Sequence, residues 1–170
     1  GANFHFDGDD GKVYVDGSAY SPIWPDIAHA AVGIVQMEGD VVAKSLGVTL
    51  PRVWPQSAAA AERLAILIVM QHIRGQAEVL SDCLGVTFAY RRLAAEARPG
   101  KKWAGLWKQI LNLEKELEAS GQGISNLGWT KAHRDIREVA AEDRDDCLGS
   151  AAADEVAKQS ALNTAPPDDA

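Results

Sequence analysis

Apolar and polar positions alternate over residues 12–16 (KVYVD), and β-branched and aromatic types dominate. This pattern predicts a strand that Gly17-Ser18 ends. Residues 21–26 carry Pro22 and Pro25 and read as a turn. Residues 28–37 (AHAAVGIVQM) and 41–50 form two further strands, separated by the turn signal Glu38-Gly39-Asp40. Three successive strands with short connections predict an antiparallel meander. The period then changes. Ser57 is a helix N-cap candidate, and residues 58–74 (AAAAERLAILIVMQHIR) hold strong helix formers that are apolar nearly all round, which predicts a deeply buried helix stopped by Gly75. Residues 77–81 read as a short strand with Asp82 at its carboxyl end, followed by a helix to about Ala97. Trp103, Leu106, Trp107, Ile110, Leu113 and Leu117 recur at helical spacing. Residues 124–130 form a fifth strand, 134–148 are polar and acidic, and a last helix runs from Ser150 to about Leu162. A helical crossover after a meander places the fourth strand parallel to the first. The expected fold class is α/β, a five-stranded mixed sheet, three antiparallel strands and then parallel ones, flanked by helices.

The 170 residues, 46% hydrophobic and 24% charged, suit one domain with a substantial core and exclude overall disorder. We expect a flexible acidic, Gly-rich segment over 1–11, a domain over 12–162 and a disordered tail over 163–170. No run approaches the roughly 18 apolar residues of a membrane span, so no membrane partner is expected. Cys83 and Cys147 are too few for a disulfide framework and fit no zinc spacing, which suggests reduced thiols in an intracellular setting, cytoplasmic or nuclear. The chain starts at Gly1 rather than Met and reads as part of something longer. A net charge of −7 argues against a generic nucleic-acid coat, though not against an enzyme that holds cations on a nucleic acid.

Four acids stand at element ends. Asp16 closes the first strand, Glu62 lies early in the buried helix, Asp82 follows the fourth strand, and Asp154 lies in the first turns of the last helix. Each has a plain alternative: a turn residue, a dipole-favouring acid or an N-cap. Adjacent parallel strands would bring Asp16 and Asp82 to one sheet edge, where ligands of open α/β sheets bind. Four converging carboxylates repel unless cations neutralise them, and hard divalent ions, Mg²⁺ first, suit oxygen ligands.

The segments VYVDGSAY, AAAAERLAILIVMQHI, EVLSDCLGV and WTKAH…GSAAADEVAK resemble, in order, the motifs of ribonuclease H type 1. The resemblance spans residues 12–162, and its style is closer to the ribonuclease H of a retroelement, found beside a reverse transcriptase, than to a free-standing bacterial one. It implies a ribonuclease H-like fold and a Mg²⁺-dependent endonuclease (two ions, Mn²⁺ substituting) that hydrolyses the RNA strand of an RNA–DNA hybrid. By resemblance Asp16 bridges both ions, Glu62 and Asp82 complete the first site with Glu62 near a ribose 2′-OH, and Asp154 completes the second. His133, in Thr130-Lys131-Ala132-His133, matches the family's loop histidine and is a candidate for proton transfer. Gly17, Ser18 and Lys131 become candidate hybrid contacts. The partners expected are the hybrid and a covalently linked reverse transcriptase, on a monomeric domain.

The sequence also departs from that family. The interval between His133 and Asp154 is longer than usual and holds Glu138, Glu142, Asp143, Asp145 and Asp146. Such an insertion could swing His133 away, hold an extra cation or cover the site. The Asn residues that many relatives place before the helical Glu are Ala59 and Ala60 here, which removes minor-groove contacts. Between Arg91 and Lys108, six cations face one acid, Glu96, with Trp103 and Trp107 interleaved. Lys101, Lys102 and Lys108 are candidate phosphate contacts. Trp107 is expected in the core, Trp103 in either role, and Trp24, Trp54 and Trp129 in packing. Two other functions fit the same fold: a silent tether or nucleic-acid-binding module, and a nuclease directed at DNA.

Overall fold

A computed structural model describes residues 4–20 and 28–164. The expected turn at Pro22 and Pro25, Trp24 and tail residues 165–170 lie outside them. Three antiparallel strands come first as expected: β2 (Val13–Tyr20), β3 (His29–Glu38) and β4 (Val41–Thr49). They follow a two-residue strand, β1 (Phe6–Asp7). Helix α1 (Ala58–His72) leads through β5 (Ile73–Arg74) to β6 (Gln76–Ser81), which pairs in parallel with β2. Helices α2 (Leu84–Tyr90), α3 (Leu93–Glu96) and α4 (Ala104–Ala119) precede β7 (Gly123–Trp129), and α5 (Arg144–Thr164) ends the described chain. The main sheet runs β4-β3-β2-β6-β7, the expected mixed five-stranded sheet.

Two apolar layers sandwich this sheet. On one face α1 packs on β2 and β3, and α4 packs on α1. Ile66, Val69, Val13, Ile34 and Trp107 are fully or almost fully buried there. On the other face α5 lies over β2, β3 and β4, with Tyr14, Val35, Leu80 and Ala153 between them. Burying one such side chain contributes about 1.5–3 kcal/mol, and truncating Ile66 to Ala would cost roughly 2–5 kcal/mol. The Ser57 hydroxyl accepts from the Ala60 N–H at 3.1 Å, the expected N-cap of α1.

Several boundaries differ from expectation. Phe6, in the segment read as a flexible start, is fully buried, and β1 pairs in parallel with β5. The buried Gln36 amide binds the Asp7 and Gly11 carbonyls, so residues 6–11 are fastened to the sheet. Helix α1 stops at His72 because Ile73–Arg74 serve that pairing. The helix expected to reach Ala97 breaks at Arg91–Arg92, where the last turn of α2 tightens and the Arg92 N–H bonds the Ala89 carbonyl at 2.9 Å. The last helix starts at Arg144 rather than Ser150 and runs past Leu162. Gly149 lies within α5: a Cβ there would stand 2.3 Å from the Tyr14 ring, so the glycine lets α5 close onto the sheet.

The first strand also continues past Asp16 to Tyr20, because β3 keeps pairing beside it. Gly17 is a close-approach residue rather than a turn, for a Cβ would come within 2.5 Å of the Glu62 backbone nitrogen. That contact seats α1 against β2 and brings Glu62 alongside Asp16.

Candidate active site

Asp16 sits where the parallel ladder ends. β2 and β6 pair up to Val15↔Ser81, after which β2 keeps only β3 as its neighbour and β6 gives way to Asp82. Both carboxylates therefore emerge at one end of a strand pair, as the sequence predicts. Glu62, in the second turn of α1, reaches the same point from above the sheet. One oxygen from each of Asp16, Glu62 and Asp82 lies within 4.8 Å of the others.

Local bonds hold these groups in place. The Asp16 carboxylate accepts from the Gly17 N–H at 2.8 Å. The Ser81 hydroxyl accepts from the Cys83 N–H at 3.1 Å, bending the chain sharply as it leaves β6. Asp82 does not cap α2, whose N-cap is Cys83. The Asp82 carbonyl instead accepts the Trp129 indole N–H at 3.0 Å. Trp129 is thus 46% exposed rather than a packing residue, and it steadies the Asp82 turn. Alternation alone could not reveal that contact, which depends on β7 lying beside β6.

Burial raises the carboxyl of Asp16 to about 7, with Asp82 and Asp154 adding to the rise against a hydrogen bond from Glu62. Burial, the hydrogen bond to Asp16 and the Asp16 charge raise Glu62 further, and its Oε2 is buried without a hydrogen-bond partner. Burial and Asp154 also raise Asp82, with His133 opposing them. Such repulsion among oxygen donors is what a hard divalent cation relieves. The unpartnered Glu62 oxygen and the all-carboxylate donor set fit a hard divalent cation.

Asp154 is placed differently. It lies in the third turn of α5, not the first, and is outside the tight group of three. Burial pushes its carboxyl up, but the Lys158 ammonium at 2.8 Å outweighs that and holds it below the usual range. Asp154, Asp82, His133, Lys131 and Ser150 line a recess of about 60 Å³ beside the carboxylates. A larger concavity of about 470 Å³, lined by Gln76, Tyr90, Glu114 and Asn126, sits near the start of β6 and holds none of the four acids. His133 is exposed at φ 54°, left-handed among the described non-glycine residues. The insertion leaves it at the recess. Two acids of that insertion are engaged elsewhere: Asp146 accepts from Tyr14 at 2.5 Å and Lys12 at 3.3 Å, and Asp143 lies 3.8 Å from Arg134. Among the described residues they form no group tight enough for a further cation.

Gly17 and Ser18 are half-buried on β2 beyond Asp16. Lys101, Lys102 and Lys108 are exposed at and after the turn into α4, and Trp103 is half-buried before it. Trp107 is buried and Trp54 is packed against the core, as expected. Sequence patterning passes over Arg63, whose guanidinium carbon lies 5.4 Å from the Trp103 ring centre, with the Lys102 ammonium 5.3 Å from that centre.

No family model matches the sequence, and no curated protein matches it either. Solved structures do. The chain is similar to the ribonuclease H domain of prototype foamy virus, with a TM-score of 0.69 at 22% identity, covering 96% of this chain and 99% of that one. It is similar at the same score and identity to the prototype foamy virus protease-reverse transcriptase, of which it spans 21%. A ribonuclease H1 isolated from compost by a metagenomic approach matches with a TM-score of 0.54 at 14% identity, over 91% of this chain and 97% of that one. Strand order, crossover and these likenesses agree, and the chain has the ribonuclease H type 1 fold.

Proposed function

We propose that this domain is an endonuclease that hydrolyses the RNA strand of RNA–DNA hybrids with divalent cations, Mg²⁺ in the first place. The observation that carries the reading is the convergence of Asp16, Glu62 and Asp82 around a buried, unpartnered Glu62 oxygen. A silent domain has no physical need to keep that repulsion. When bound, a pair of ions supplies activation of water and charge stabilisation at the scissile phosphate. Asp16, Glu62 and Asp82 would hold one ion, and Asp16 with Asp154 the other. His133, at the rim of the recess, moves a proton near the leaving oxygen. Lys101, Lys102, Trp103, Lys108 and Lys131 grip the hybrid, and Gly17 and Ser18 flank its path. A structure of the foamy viral protease-reverse transcriptase was solved with an RNA/DNA hybrid, which supports the same substrate and a linked reverse transcriptase here. No described helix is long and apolar enough to cross a membrane. We place the domain, as a monomer, inside the cell.

The test is a cleavage assay on RNA–DNA hybrid, double-stranded RNA and double-stranded DNA, with Mg²⁺ or with chelator. Cutting confined to the RNA of the hybrid and abolished by chelator is the expected result. Cutting of duplex DNA would move the assignment to a DNA-directed nuclease. Salt-sensitive hybrid binding without cutting would leave a tether.

A further inference from the structure

Arg63 follows Glu62 on α1, and its guanidinium is aimed away from the core. Its Nη1 donates to the Ala59 carbonyl at 3.0 Å, so the head group lies over the preceding turn. A Cβ on Gly85 would stand 3.3 Å from Nη2, so the same head reaches toward the start of α2, just beyond Asp82. The third neighbour is the Trp103 ring, with Lys102 close to that same ring. Arg63 therefore spans three elements around the carboxylate group.

A guanidinium carries five N–H donors, and the bond to Ala59 uses one. Among the described residues no carboxylate lies within ion-pair distance of Arg63. No ion pair therefore takes up its remaining donors. The free donor fork instead sits on the surface that joins Glu62 to Lys102 and Trp103. A planar fork of this kind matches two oxygens of one phosphate. Ala59, beneath it, offers no side-chain donor, so Arg63 supplies the polar contact that this turn otherwise lacks.

We propose that Arg63 is a substrate-binding residue that grips a backbone phosphate of the nucleic acid between the carboxylate group and the Lys102–Trp103 corner. The proposal rests on the nuclease reading and adds a contact that the basic run of residues 91–108 does not contain. Trp103 braces the guanidinium from one side and leaves the fork free.

The test is equilibrium binding of a labelled RNA–DNA hybrid to the full domain, in chelator so that no cleavage occurs, across a series of KCl concentrations. Wild type, Arg63→Gln, Arg63→Lys and the control Arg74→Gln are compared, with folding checked by circular dichroism. Arg74 is exposed on β5, away from the carboxylates. Losing one phosphate contact should lower the slope of log K against log salt by about 1 in Arg63→Gln and weaken binding by about tenfold. Arg63→Lys should keep the slope and lose part of the affinity, since the charge stays and the fork goes. Arg74→Gln should match wild type. An unchanged slope in Arg63→Gln, with or without weaker binding, overturns the proposal, because a residue that only seats Trp103 releases no counterion. If Arg63→Gln does not fold, Arg63→Lys decides: affinity equal to wild type overturns the forked contact. Failure of wild type to bind hybrid at any salt sinks the nuclease reading as well, whereas normal wild-type binding with a silent Arg63 sinks this inference alone.

Discussion

Asp16, Glu62 and Asp82 are held by two strands and a buried helix, whereas Asp154 and His133 stand on a helix flank and a loop. The first three are fixed by the core. Gly17 seats α1 on β2, Ser81 and Trp129 brace the Asp82 turn, and burial raises all three carboxyls. The other two answer to local partners: Lys158 lowers Asp154, and His133 adopts a left-handed backbone in an exposed stretch. On the proposed function, the buried, repulsive half would hold the cation, and the exposed half, with Asp154 paired to Lys158, would meet the substrate. Perturbing the first should therefore abolish turnover, and perturbing the second should tune it.

The largest effect belongs to Asp16→Asn. It removes charge from an acid that interacts with Glu62, Asp82 and Asp154 together. Hybrid cleavage should fall by about a thousandfold or more, as loss of several kcal/mol of charge stabilisation requires. Thermal stability of the metal-free protein should hold or rise, since repulsion is relieved. Turnover near the wild-type rate would remove Asp16 from the chemistry.

Next comes the linkage of pH, cation and stability. The folded Asp16 and Glu62 carboxyls are raised above their unfolded values. The native state therefore holds protons that the unfolded chain has released, so stability falls as pH rises. This contribution is complete below about pH 4, the unfolded carboxylate range, and for Asp16 it is lost as pH passes about 7. In chelator the melting temperature should drop by about 4–8 °C between about pH 5 and pH 8, a loss of roughly 2 kcal/mol. Mg²⁺ or Mn²⁺ should recover more of it at the higher pH, where the ligands are free of protons. A melting temperature in chelator that climbs over this interval would contradict the repulsion argument. Asp154 should contribute with the opposite sign, because its carboxyl is lowered.

What the sequence discloses follows the same division. The meander, the buried α1, the parallel β6 and the acids at its end are legible, because binary pattern and strand-end position dictate them. The contacts that make three acids into one group are not. Gly17 looks like a turn residue and is a contact between layers, and Gly149, left outside the expected last helix, lies within α5 and receives the Tyr14 ring. Both errors have one cause. A glycine in a single sequence shows that a side chain is missing, and only the packed layers show what occupies the space. The Trp129 bond to Asp82 and the Arg63 fork at Trp103 likewise join residues distant in sequence. Acidic density in 138–146 leaves an extra cation as one of three readings, yet Asp146 serves Tyr14 and Lys12, and Asp143 faces Arg134.

Moving to the exposed half, His133→Ala should slow single-turnover cleavage by about tenfold to a hundredfold, at the low end of proton-transfer effects. Hybrid affinity in chelator should be unchanged, because the loss lies in proton movement. An unaltered rate would make this histidine a bystander at the rim.

The smallest effect sharpens the comparison most. The Lys158 ammonium, 2.8 Å from Asp154, is half-exposed and competes with any cation that Asp154 would bind. Lys158→Met keeps the stem and removes the charge. The half-saturating Mg²⁺ concentration for cleavage should then fall by about threefold to fivefold, the worth of roughly 1 kcal/mol of screened repulsion. The maximal rate should stay within about twofold, because the group formed by Asp16, Glu62 and Asp82 is untouched. The measurement is a Mg²⁺ titration of initial rate at fixed hybrid, beside Lys115→Met, a lysine on α4 away from the acids. A rise in the Mg²⁺ requirement would reverse the interpretation: Lys158 would then be organising the Asp154 carboxylate for its ion, and the exposed half would be as preformed as the buried one.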